Sequence, residues 1–359
     1  MLWVLHRMDS HARRARAFVV AVPAVVAALG AGCSAMVPAS RTSGTAVSAR
    51  PKKLAPCSSG TCFVRVTVAT LWVKPWYPRP VDAPALGVPA RPQVWARSMT
   101  VAQKQWLVGR LETQALYGTR VRVIGRWRSW VRVTVPSQPT DRDARGYPGW
   151  VPAAQLTATA PSTAKASAVV IAPTARLWSH WAAGAVSGTV EMLASYDTRL
   201  PVIRATAGYV VVALVDGRRA AIRRADVTLH AAGASWDPTR AGLLAGARRF
   251  LDLPYLWAGT SGFGFDCSGF TYALYHAQGI VISRDADQQA VHGEFVLKGA
   301  LQPGDLVFFR GSAAGRISHV GIYVGSGKMI DAPHTGGSIR VESLAGFSYY
   351  AGARRYLTR

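Results

Sequence analysis

Asp266-Cys267-Ser268-Gly269-Phe270-Thr271-Tyr272-Ala273-Leu274-Tyr275-His276-Ala277 follows the glycine-rich segment Gly259 to Gly264 and is closed by Gly279. Phe270, Ala273, Leu274 and Ala277 recur at helical spacing, and Gly279 fits the stop just past a helix end. The pattern predicts a buried helix whose first turn begins at Cys267, straight after a loop. Unpaired N–H groups and the positive end of the helix dipole favour a thiolate there. That is the physical need of a cysteine nucleophile, met by position.

Downstream, Leu301-Gln302-Pro303-Gly304-Asp305-Leu306-Val307-Phe308-Phe309 and Ser318-His319-Val320-Gly321-Ile322-Tyr323-Val324-Gly325 both read as strands. Gly325-Ser326-Gly327 turns the chain into Lys328-Met329-Ile330-Asp331-Ala332. A hairpin with His319 on one strand and Asp331 on the next brings the two side chains together. A base oriented by a third polar group is how such nucleophiles are activated. Taken singly the residues are less telling. A lone buried cysteine is usually a small hydrophobe, and a lone strand histidine is usually a core residue. A metal site from Cys267, His319 and Asp331 lacks the paired C-x-x-C or H-x-x-x-H spacing that would complete it, so neither metal nor cofactor is expected.

Working outward, the 359-residue chain is long enough for two or three domains, and half of it is hydrophobic. Its net charge of +24 is unevenly spread. Positions 1–235 hold 30 basic and 9 acidic residues, a net +21, whereas positions 236–359 hold 12 and 9, a net +3. The basic surface belongs to the N-terminal part and suits a polyanion such as the anionic cell envelope, or it is simply a soluble basic surface. No zinc-finger spacing or RNP-like segment points to nucleic acid. Arg13, Arg14 and Arg16 precede an apolar run from Ala17 to Ala31. That run is shorter than the roughly 20 residues a bilayer span needs and reads as an export signal over 1–33. Leu29-Gly30-Ala31-Gly32-Cys33 resembles a loose lipobox, with Gly30 where Leu is usual. Lipidation of Cys33, anchoring the chain to the outer face of the membrane, and plain secretion both remain open.

Residues 34–57, rich in Ala, Ser, Thr and Pro, read as a flexible linker. Cys57 and Cys62 flank Ser58-Ser59-Gly60-Thr61 and either close a small disulfide loop in an oxidising compartment or stay free thiols. Cys267 then has no disulfide partner. From 58 to 159 the chain is β-rich: Phe63–Val68, Val121–Ile124 and Trp130–Val135 alternate, and Gly146-Tyr147-Pro148-Gly149-Trp150-Val151 is a turn into a strand. Between these strands, Met99 to Tyr117 has helix-compatible spacing. A second β-rich unit, 163–232, ends much like the first, as diverged copies of one small barrel would. The C-terminal domain spans 236–359.

Tyr255-x-Trp257-Gly259, Asp266-Cys267-Ser268-Gly269-Phe270, Pro303-Gly304-Asp305-Leu306 and His319-Val320-Gly321-Ile322-Tyr323 occur in this order, and together they resemble the NlpC/P60 family of cell-wall peptidases. The resemblance implies an α+β chain: a papain-like catalytic domain preceded by two small all-β SH3-like barrels. It implies Cys267 as nucleophile and His319 as base. Asp331 falls at the third position, where many members carry His, and His334 is an alternative for that role. Tyr255, Asp266 and Ser268 fall around the oxyanion and substrate.

Val68-Ala69-Thr70-Leu71-Trp72, Leu111–Gly118 and Gly146–Val151 further resemble the first barrel of γ-D-glutamyl-L-diamino acid endopeptidases. The implied activity is hydrolysis of the γ-D-Glu to L-Lys or meso-diaminopimelate bond in peptidoglycan stem peptides, in wall turnover or recycling. In that group Glu112, Tyr147 and Asp285 match positions that read the free N-terminal L-Ala amine. Arg284-Asp285-Ala286 matches a substrate segment, with Ala286 where Ser is common. Taken without the resemblance, Glu112 is a solvated helix-face carboxylate, Tyr147 a turn aromatic and Asp285 a helix N-cap. The rival readings are a non-catalytic peptidoglycan-binding envelope protein and a general wall hydrolase or amidase.

Overall fold

A computed structural model describes residues 46–47, 51–182 and 184–357. The export-signal reading and Cys33 lie outside the described residues.

Among the described residues, three large antiparallel sheets carry the chain, with a small two-stranded one, Thr260–Ser261 with Gly264–Phe265, before Cys267. In the first, the strands run Leu111–Leu116, Val68–Trp72, Tyr147–Pro152, Trp130–Val135, Arg120–Trp127, Thr61–Val64 and Leu156–Thr157 in spatial order. The alternation read from the sequence is what packs it: Val131, Val133 and Val135 are fully buried beside Val121 and Val151, while Arg132 is exposed. A helical excursion, including Pro92–Ser98 and Val101–Gln105, interrupts this sheet. Trp95 anchors it by donating its indole N–H to Asp82 at 2.9 Å, both fully buried.

Two sequence expectations are corrected in this region. The helix-compatible stretch Met99 to Tyr117 is helical only over Val101–Gln105. After Gly109, whose φ of +71° suits a residue without a Cβ, Leu111–Leu116 is a strand. Pairing with Val68–Trp72 overrides helix propensity there, so Glu112 sits on a strand and not on a helix face. Part of the linker read as flexible is also tied down. Ala46–Val47 pairs with the strand Thr174–Ala182, Lys52 donates to the Asp216 carbonyl, and Cys57 is buried in a disulfide with Cys62.

The second sheet contains eight strands, drawn from Ala46–Val47 and from between Ala166 and Ala231. Both N-terminal sheets end alike, a 3-10 turn (Ala153–Gln155; Arg224–Asp226) leading into a final strand. The third sheet has the order Glu294–Val296, Tyr350–Arg355, Leu306–Arg310, Ile317–Gly325, Lys328–Asp331, Arg340–Ser343. The helix Cys267–Ala277 packs on it through Phe270, Leu274 and Tyr275 against Leu306, Phe308, Val320 and Ile322, all buried in one core.

The first sheet is fastened to the C-terminal domain through one buried side chain. Gln114, 1% exposed, accepts from the Thr260 N–H at 3.1 Å and the Ser261 hydroxyl at 2.8 Å, while its carbonyl accepts from the Thr260 hydroxyl. The strand bearing Glu112 is thereby fastened to the glycine-rich approach to Cys267. That approach is tight: a Cβ on Gly269 would lie 2.0 Å from the Gly259 carbonyl oxygen, which explains glycine in the cysteine motif.

Candidate active site

Cys267 is the first residue of its helix, as the spacing predicts. Asp266 caps the helix by accepting from the Gly269 N–H at 2.7 Å. The backbone N–H of Cys267 has no intrahelical acceptor at that position and points out of the helix end. The thiol is nearly buried, 9% exposed, and Cys267 is the free cysteine of the described residues.

His319 reaches the thiol from the strand Ile317–Gly325. The turn Gly325-Ser326-Gly327 has positive φ throughout and returns the chain so that Ile322 faces Ile330. Asp331 then accepts from His319 Nε2 at 2.7 Å and is fully buried, so Nδ1 is the nitrogen left for Cys267. Phe347 lies parallel to the imidazole, 5.8 Å away at 3° between planes. Burial lowers the His319 pKa, but the hydrogen bonds to Asp331 and Cys267 and their charges outweigh it and push it up to about 10. An imidazolium beside the sulfur is the partner a thiolate needs. His334 is exposed and faces the Thr335 carbonyl at 3.0 Å, away from this cluster. Tyr255 is buried beside Cys267; burial, then the Cys267 and Asp266 charges, raise its phenol, which stays protonated as a donor.

Cys267 and His319 open onto a cleft of about 670 Å³ whose walls include Tyr255, Ser268, Glu112, Tyr147 and Asp285. Apart from the alternative His334 and from Cys33, which lies outside the described residues, the site residues read from the sequence line this cleft or, as with Asp331, support a residue that does. The Tyr147 hydroxyl, from the first sheet, donates to Asp285 Oδ2 at 2.9 Å. Burial raises the Asp285 carboxyl, opposed by the Arg284 charge and the Tyr147 hydroxyl.

Two arginines complete the site: Arg284, which the sequence reading placed only within a substrate segment, and Arg142, which it missed. Arg284, 1% exposed, holds Asp266 with two hydrogen bonds of 3.1 and 2.8 Å, and also reaches Ser268 Oγ at 3.0 Å and Thr113 Oγ1 at 3.1 Å. It thus ties the cap of the cysteine helix to the strand that carries Glu112. Arg142, from the segment between Val135 and Tyr147, binds Glu112 through both Nη atoms and reaches the Tyr147 hydroxyl at 3.1 Å. The ties of Arg142 to Glu112 and of Arg284 to Thr113 were not legible locally, because those partners lie 30 and 171 positions away. Among the described residues, no group of three or more His, Cys, Asp or Glu side chains is arranged to hold a metal ion.

A family model described as "NlpC/P60 family" matches residues 252–355. A γ-D-glutamyl-L-lysine dipeptidyl-peptidase of Bacillus cereus is 41% identical over 305 residues, 82% of this chain and 90% of that protein. A protein of the same name from Bacillus subtilis is 39% identical, over 77% of this chain and 91% of its own length. The crystal structure of an NlpC/P60 family protein from Bacillus cereus superposes with a TM-score of 0.76 at 39% identity, covering 83% of this chain and 99% of that one. With the cysteine at its helix start, the histidine on the facing strand and these relatives spanning most of its length, the chain belongs to the NlpC/P60 family of cysteine peptidases.

Proposed function

We propose that this chain hydrolyses the bond between γ-D-Glu and the following L-Lys or meso-diaminopimelate in peptidoglycan stem peptides bearing a free N-terminal L-Ala. The observation that carries this reading is the composition of one cleft: Cys267 and His319 open onto it, and Glu112, Tyr147 and Asp285 form part of its wall. A dipeptidyl peptidase needs a substrate ammonium recognised a fixed distance from the nucleophile. Burying that cation without a partner is costly, and carboxylates from two elements supply one. The relatives' names specify a γ-D-glutamyl-L-lysine bond and release of a dipeptide, which agrees with this arrangement.

In the proposed reaction the Cys267 thiolate attacks the γ-carbonyl. The Cys267 N–H and the Tyr255 hydroxyl stabilise the oxyanion. The His319 imidazolium passes its proton to the leaving α-amine of the diamino acid, leaving an acyl-enzyme and neutral His319. Neutral His319 then takes a proton from water, whose oxygen attacks the thioester. The thiolate departs, the imidazolium is regenerated and the dipeptide acid is released. Asp331 fixes the imidazole tautomer throughout.

The two N-terminal sheets are read as SH3-like barrels, the first of which builds the amine end of the cleft. The signal-like N-terminus and the Cys57–Cys62 disulfide support an exported protein in an oxidising compartment, facing the anionic envelope, whether Cys33 is lipidated or not. The test is incubation with L-Ala-γ-D-Glu-L-Lys and its diaminopimelate counterpart, with products weighed by mass spectrometry. Release of L-Ala-D-Glu is expected; cleavage at any other bond, or none, contradicts the reading.

A further inference from the structure

Arg142 occupies a place where a cation is hard to explain by the amine alone. Of all the Lys and Arg residues among those described, it is the one that lines the catalytic cleft. It sits against Glu112 and the Tyr147 hydroxyl, two of the groups proposed to receive the substrate ammonium. A guanidinium next to an ammonium subsite repels its ligand, unless that ligand also brings an anion.

The donor count shows that the guanidinium has capacity to spare. An arginine carries five N–H donors. Nη1 spends two, on Glu112 and on the Tyr147 hydroxyl, and Nη2 spends one on Glu112 Oε1. The Nε–H and one Nη2–H have no partner among the described residues, and the side chain is 41% exposed. Arg284, the nearby alternative, is 1% exposed and committed to Asp266, Ser268 and Thr113. The charges at this end then alternate: Glu112 negative, Arg142 positive, with Asp285 negative on the other side of the Tyr147 hydroxyl.

The geometry points to Arg142 as a carboxylate subsite that reads the free α-carboxylate of the γ-linked D-Glu. A glutamyl residue joined through its side chain keeps its α-carboxyl outside the scissile bond, one residue from the terminal amine. The dipeptide end of the substrate is therefore zwitterionic. Its ammonium meets Glu112 and Asp285 while its carboxylate meets the adjacent guanidinium. Arg142 thereby distinguishes stems whose D-Glu is free from stems in which that carboxyl has been converted to a carboxamide. A neutral amide offers a weaker acceptor and turns an NH2 toward a cation.

This inference rests on the proposed function, and its test separates the two. Steady-state kcat/KM is measured for L-Ala-γ-D-Glu-L-Lys and for its α-carboxamide twin, with the parent protein and with Arg142→Gln and Arg142→Lys. The parent protein is expected to favour the free acid by about 10- to 100-fold, the range of one charge-assisted hydrogen-bonded pair. In Arg142→Gln that ratio falls to near one, chiefly through a raised KM for the acid, and Arg142→Lys recovers part of it. Equal cleavage of both peptides by the parent protein, or a preference that survives Arg142→Gln, overturns the carboxylate subsite and leaves the peptidase reading intact. Cleavage of neither peptide overturns both.

Discussion

In Asp331→Ala, His319 keeps Phe347 on one face and Cys267 at one nitrogen, but the Nε2–H that now lies 2.7 Å from a carboxylate is left facing a void. Burial, the largest influence on this imidazole, then acts with less to oppose it. The His319 pKa, about 10 in the intact site, drops toward or below its ordinary 6.5. Near pH 7.5 the imidazolium is then scarce and its tautomer unfixed. We expect kcat to fall roughly 10²- to 10⁴-fold, as when an orienting carboxylate is removed from a catalytic triad. The alkaline limb of kcat/KM moves from near pH 10 to well below it.

Stability carries the same signature with a defined sign. The folded pKa of His319 lies above its unfolded value, so the pair's contribution is complete below about pH 6.5 and is lost as pH rises through about 10. The destabilisation by Asp331→Ala, on the order of 1.5–3 kcal/mol for one charged hydrogen bond, is largest near pH 6 and shrinks toward pH 10. The assays are pH profiles of peptide hydrolysis and of denaturant midpoints for the parent and variant. Refutation is an alkaline limb that stays near pH 10 in Asp331→Ala, or a severe loss in His334→Ala instead, since His334 is exposed and bonds only locally.

Alkylation with iodoacetamide is expected to inactivate the protein through an adduct at Cys267, the free cysteine of the described residues, Cys57 and Cys62 being joined; Cys267→Ala folds and is inert, and activity in that variant contradicts the nucleophile. Arg284→Ala leaves Asp266 buried without its cation and is expected to cost about 3–5 kcal/mol in denaturant titrations, whereas a loss under 1 kcal/mol contradicts its role as the tie between sheets. Reducing the Cys57–Cys62 loop should lower stability by only about 2 kcal/mol, since the loop is short, which a melting comparison with and without reductant checks. Gly269→Ala pushes a Cβ into the Gly259 carbonyl and should cut activity by displacing the cysteine helix, as seen in kcat/KM alongside a melting curve.

The catalytic helix and the histidine strand were legible because their signals are local. Apolar residues at helical spacing, a glycine on either side and a Gly-Ser-Gly turn fix Cys267, His319 and Asp331 within short segments. The alternation Val131, Val133, Val135 likewise marks a strand that the sheet then buries. Met99 to Tyr117 was misread because Leu111–Leu116 gains more from pairing with Val68–Trp72 than from its own propensity. The same switch moved Glu112 from a helix face into the cleft. Arg284 reaches across 171 positions to Thr113, and Arg142 sits in a loop 30 positions from Glu112. No period in the sequence encodes such contacts; only the assembled sheets bring them together. Phe347 stacking on His319 is hidden for the same reason.

The central claim, that the cleft reads a free terminal amine through Glu112, Tyr147 and Asp285 while Cys267 cuts after γ-D-Glu, is tested most directly by a paired assay. L-Ala-γ-D-Glu-diaminopimelate and its N-acetylated form are offered separately to the protein, and kcat/KM is measured for each by mass-resolved product release. Efficient cleavage of the free peptide is expected, and little or none of the acetylated one, whose terminal nitrogen is neutral and carries extra bulk toward the carboxylates. Comparable kcat/KM for the two would contradict it and make this protein a general wall hydrolase.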